Sequence, residues 1–127
     1  MWKLYRIENQ DTYQGIWYNK EGVKNDFLRT NLSRAKCRDL PMEYDETYGL
    51  GGLRWISATD RTSDMQHWLS VNDAIELLQQ GYQPYEFMVS QYRRVFNHAV
   101  FAREHVVAQR VVDLSVFYEG AECDLSY

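Results

Sequence analysis

Residues 70–81 carry the full punctuation of a helix, and that helix divides the chain into two kinds of sequence. Ser70 stands three residues before Asp73, the spacing at which a hydroxyl caps the first free backbone N–H groups. Val71, Ala74, Ile75 and Leu78 then recur three or four apart, and Gly81 supplies the stop. Beyond Gly81 the helical period is gone. Tyr85, Phe87 and Val89 alternate with Glu86, Met88 and Ser90, and residues 95–102 and 105–117 continue in the same manner. Asn97-His98 and Arg103-Glu104 interrupt them as turns or bulges. In the last of these segments Val106, Ala108, Val112, Leu114 and Val116 share one face while Val107 and Val111 take the other, the pattern of a central strand.

Before the helix the chain is mixed. Residues 2–8 alternate, with Trp2, Leu4, Arg6 and Glu8 on one face and Lys3, Tyr5 and Ile7 on the other. Asn9-Gln10-Asp11 is turn chemistry, so residues 12–18 read as a partner strand in an N-terminal hairpin, with Gly15 at a bulge or close approach. Residues 22–37 place Val23, Phe27, Leu28, Leu32 and Ala35 on a helical stripe that Pro41 ends. Residues 39–52, with four acids and the run Gly49-Leu50-Gly51-Gly52, form a long loop. Residues 53–59 return to strand character, and Ser63 with Gln66 reads as a second capping box before a short helix bearing Met65, Trp68 and Leu69. The sum is α+β: a single domain with a mostly antiparallel sheet of five to six strands and two to three helices.

Composition narrows function more than it identifies it. A chain of 127 residues with 45% apolar and 25% charged residues is ordinary globular material. It has no run of 18 apolar residues and no leader-like start, so a cytoplasmic protein is expected. Cys37 and Cys123 lie far apart and outside any motif, and read as free thiols. With His67, His98 and His105 they offer no metal-ligand spacing, so no metal site is expected. A net charge of −4 argues against direct binding of nucleic acid. Two features raise the odds of an interface: an aromatic share of 15%, and ten arginines against four lysines.

Few residues stand out chemically. Arg6 sits mid-strand, where a covered guanidinium must pair with a carboxylate such as Glu8 or grip an anion. Ser57 and Thr59 share a face and can orient a ligand or cap the following turn. The glycine run lacks the lysine of a phosphate loop, and His98 and His105, beside predicted turns, read as surface residues.

Two resemblances attach to these residues. Leu4-Tyr5-Arg6-Ile7-Glu8 followed by Gly15 and Tyr18 resembles the opening of small uncharacterised proteins encoded by tailed phages and prophages. The stretch from Leu77 through Gly81-Tyr82, then Tyr85, Phe87 and Val89, then His98-Ala99-Val100-Phe101, is similar to their second half. That likeness implies an accessory protein of the kind that inhibits host defence, as anti-CRISPR proteins do. Arg6 and Ser57-Ala58-Thr59, in that order, also resemble the first- and middle-strand elements of ADP-ribosyltransferases. This second likeness implies NAD as substrate. The late Glu-x-Glu of that family is missing, leaving Glu86 or Glu104 to stand in for the single catalytic glutamate.

The leading expectation is therefore a binding protein that inhibits a host protein or ribonucleoprotein complex by occupying its surface. Its contact residues would be Trp17, Tyr18, Arg29, Arg34, Tyr44, Tyr48, Arg61 and Trp68, with no cofactor and no catalytic residue. The alternatives are an NAD-using enzyme built on Arg6, Ser57 and Glu86 or Glu104, and a homodimeric structural protein.

Overall fold

A computed structural model describes residues 1–16, 52–95 and 97–118. The predicted helix over residues 22–37 and the acidic, glycine-rich loop lie outside the described residues, as do both cysteines. The elements run β1 (Trp2–Asn9), β2 (Trp55–Ala58), α1 (Thr62–Trp68), α2 (Val71–Gln79), β3 (Tyr82–Val89), β4 (Arg93–Val95), β5 (His98–Ala102), a 3-10 turn (Arg103–His105), β6 (Val106–Val111) and a second 3-10 turn (Leu114–Val116). The class is α+β. Among the described residues, six strands divide into two antiparallel sheets rather than one, ordered β1-β3-β6 and β2-β5-β4. A bridge between Tyr5, in the middle of β1, and Thr59, just past the end of β2, links the sheets.

Alternation explains the layering. Leu4 of β1 and Tyr85, Phe87 and Val89 of β3 turn toward Ile56 and Ala58 of β2 and Ala99 and Phe101 of β5, forming the core between the sheets. The opposite face of β1 and β3 sends Ile7 and Tyr82 onto Met65, Trp68, Leu69, Ala74 and Leu77 of the helices, with Leu114, Phe117 and Tyr118 closing that layer. β3 is thus covered on both faces, and it occupies the centre of its sheet. Pro84 survives there because its carbonyl accepts from Val112 N just beyond the β6 ladder. Its missing N–H therefore faces the end of that ladder rather than its middle.

The expectation of a central last strand is overturned. β6 pairs only with β3 among the described residues and is exposed along most of its length, with Val107 at 55% and Val111 at 54%. The second sheet covers β1 and β3, and of β6 only Val106 reaches the intersheet core.

The helices follow their signals unevenly. α2 is capped by Ser70, whose hydroxyl accepts from Asp73 N at 3.1 Å, and the chain leaves through Gly81 at φ +94°. α1 begins at Thr62 under Arg61, so Ser63 lies inside the helix and the predicted capping box does not form. Thr59 braces the approach to the helix instead: its Oγ1 accepts from Arg61 N at 2.9 Å and donates to Asp64 Oδ2 at 2.6 Å. Of the N-terminal hairpin, the described residues show a turn over residues 9–14 and one bridge from Glu8 to Gly15, while β1 pairs along its length with β3.

Candidate functional site

β1 places Arg6 and Glu8 on its intersheet face by alternation, and neither side chain reaches solvent to any extent. Arg6 Nε donates to Glu8 Oε1 at 2.8 Å, and Arg6 Nη1 donates to the Ser57 carbonyl at 2.9 Å. The same Glu8 oxygen accepts from Arg103 Nη2 at 2.6 Å, reached from the 3-10 turn after β5. One fully buried carboxylate oxygen therefore bridges two guanidinium groups, as a buried charge requires. Its second oxygen has no hydrogen-bond partner among the described residues.

Arg103 also fastens a loop. Its Nη2 donates to the Tyr13 carbonyl at 2.7 Å, and its guanidinium lies 5.6 Å from the Tyr13 ring centroid and 5.9 Å from that of Phe87. Asn9 closes the same loop from within, its Oδ1 accepting from Asp11 N and Thr12 N at 2.8 and 3.1 Å. Tyr13 N donates to Asn9 O at 2.9 Å.

Around this network opens a cleft of about 390 Å³, lined by Arg6, Thr12, Tyr13, Gln14, Arg54, Ile56, Arg103 and Glu104. Its size falls within the roughly 300–1,000 Å³ of small-molecule sites. Arg54 and Arg103 line it from two separate segments above the buried Arg6, with the exposed carboxylate of Glu104 beside them. Tyr85, on the same sheet face, has its phenol pushed up by burial, by the Glu8 charge and by Tyr13 and Asp11, with Arg103 opposing.

Of the residues expected to serve an NAD-using enzyme, Arg6 and Glu104 meet in this cleft and Glu86 does not. Glu86 projects from the other face of β3, where Arg110 Nε and Nη2 donate to it at 3.1 and 3.3 Å and Tyr5 OH at 3.3 Å. Arg110 holds its carboxyl below the usual range, with burial opposing. Ser57 contributes its carbonyl rather than its hydroxyl. Ile56 and Ala58 take the intersheet face of β2, so the Ser57 side chain points the other way, buried and without a partner among the described residues.

Of the expected contact residues, Trp68 is corrected. It is 5% exposed, because Met65, Trp68 and Leu69 form the stripe that seats α1 on the sheet. Arg61 is exposed at the start of α1. Trp17, Tyr18, Arg29, Arg34, Tyr44 and Tyr48 lie outside the described residues. His98 is buried rather than at the surface, its Nδ1 2.8 Å from Asn97 Oδ1, and His105 packs edge-on against Trp55.

Arg54 and Arg103 are the site residues that sequence reasoning missed. Arg54 directly precedes a strand and Arg103 sits at a predicted bulge, positions that present side chains at a sheet end. Among the described residues no group of three His, Cys, Asp or Glu stands close enough to hold a metal ion, and no helix is long and apolar enough to cross a membrane. In comparison with known proteins the chain matches no family model, and no curated protein or solved structure is significantly similar to it.

Proposed function

We propose that the cleft binds NAD as substrate and that the protein is an ADP-ribosyltransferase-like enzyme. The observation that carries this reading is the meeting of Arg54, Arg103 and the carboxylate of Glu104 in one cleft that the buried Arg6 underlies. Guanidinium groups match phosphate oxygens in geometry and charge, and a pyrophosphate supplies several such oxygens at once. In the reaction, the bond between the anomeric carbon and nicotinamide breaks, and nicotinamide leaves with the bonding pair. An acceptor nucleophile adds to that carbon and gives up its proton. Glu104 is the group placed to orient the acceptor and take the proton, a role worth on the order of 10²- to 10⁴-fold in rate. Arg6, tied to Glu8 and the Ser57 carbonyl, holds β1 against the end of β2 and keeps the cleft floor in place.

The test is calorimetric titration with NAD together with an assay of nicotinamide release. Arg54→Ala is expected to weaken binding, and Glu104→Gln to retain binding while losing turnover. No binding at millimolar NAD would end the proposal.

One observation favours a second reading, a phage-type accessory protein that docks on a host macromolecule. Met1 (72%) and Trp2 (51%) are exposed, and Trp2 pairs with Val89, which pairs with Val106 next to exposed Val107. An apolar group therefore gathers at one end of the first sheet, as interface anchors do. Capture of a stoichiometric host protein by the wild type but not by Trp2→Ala would support docking; equal capture by both would refute it. A doubled mass in light scattering, lost in Val107→Lys, would point to a homodimer instead.

A further inference from the structure

We propose that Tyr13 is a stacking platform for a planar ring, so that the cleft selects phosphate-bearing ligands that carry an aromatic base. The inference rests on reading the cleft as an anion site and adds what lies beside the anion. Tyr13 is the single non-glycine residue at positive φ among the described residues, at 63°. A side chain in the left-handed region is strained, and glycine or asparagine would hold this turn more easily. The turn itself therefore does not call for a ring.

Nor does the core use it. The side chain is 56% exposed and belongs to none of the apolar clusters, yet it lines the cleft. Its backbone is held from both sides, by Asn9 through the turn and by Arg103 through the carbonyl. An aromatic ring on a pinned backbone loses little freedom when it stacks, which makes it an economical recognition element. Arg103 attracts the electron-rich face of this ring while offering its charge to the cleft. A base over Tyr13 with its phosphate near Arg103 and Arg54 satisfies both features; a bare phosphate satisfies one.

Four probes decide it, titrated into the full chain: inorganic pyrophosphate, ribose phosphate, AMP and nicotinamide mononucleotide. AMP, nicotinamide mononucleotide or both are expected to bind about 5- to 150-fold more tightly than ribose phosphate, the range for stacking of one base on an aromatic residue. Which nucleotide benefits names the ring. Tyr13→Phe keeps the preference. Tyr13→Ala abolishes it, bringing the nucleotides down to the affinity of ribose phosphate, and so does Tyr13→Gly, which removes the ring while relaxing the turn. No preference in the wild type, or a preference that survives in both truncations, would overturn the role of Tyr13 and leave the anion site standing. Failure of all four probes to bind would instead remove the anion site, and this inference with it.

Discussion

The first sheet carries an arginine–glutamate cluster on each face, and the two behave as different kinds of object. On the intersheet face, Glu8 is fully buried and bridges Arg6 and Arg103. On the other face, Glu86 takes a two-pronged contact from Arg110, whose side chain is 68% exposed. The residue types are the same. Burial is not, and burial decides the energetics. A carboxylate removed from water depends on its partners, whereas an ion pair at the surface loses little when water replaces one member.

The sharpest way to break this comparison is Glu8→Ala, which strands Arg6 in the core. Its expected cost is on the order of 3–5 kcal/mol, read by chemical denaturation. A loss below about 1 kcal/mol would mean that the buried cluster is no stronger than a surface pair. Next in size is Arg103→Ala, which removes a donor from Glu8 Oε1 and frees the Tyr13 carbonyl. About 1–3 kcal/mol is expected, together with faster hydrogen exchange in residues 9–14 and weaker ligand binding. Unchanged exchange there would show that Arg103 does not fasten the turn.

On the outer face, Arg110→Ala is expected to cost only a small part of what Glu8→Ala does at neutral pH, read the same way; a comparable loss would place both clusters in one class. The smallest effect is a matter of pH. Because Glu86 has its carboxyl lowered by Arg110, its stabilising contribution is present above the ordinary value of 4.5 and disappears as pH falls through the lowered folded value. Melting curves of the wild type and Glu86→Gln should therefore converge in acid. Tyr85, beside Glu8, works in the opposite direction. Its raised phenol stabilises the fold below its ordinary value of 10.0, and that contribution fades as pH rises through the folded value.

Arg6 and Glu8 show how far local pattern reaches. Two residues apart on an alternating strand, they had to share a face, and their pairing was readable from that alone. Arg103 completes the same cluster from 95 residues away, and no local period announces it. The choice between Glu86 and Glu104 was equally closed to sequence reading. Glu86 stands in strand-like sequence and Glu104 at an expected turn or bulge, and only the stacking of the second sheet on one face of the first puts Glu104 at the cleft and Glu86 on the opposite side. The valines of residues 106–111 misled for a related reason: apolar residues on both faces suggest a covered strand, but cover depends on how far the neighbouring sheet extends.

What residues 1–118 determine by themselves is short-range: the capped helix ending at Gly81, the alternation of β1 and β3, the Asn9 turn, and the pairing of Arg6 with Glu8. These follow from backbone geometry and hydrogen-bonding groups a few residues apart. The division into two sheets, the exposed edge at β6 and the meeting of Arg54 and Arg103 with Glu104 and the Tyr13 ring were decided by tertiary structure. They depend on contacts between distant segments, whose pairing is set by the total burial achieved and by which face each sheet covers.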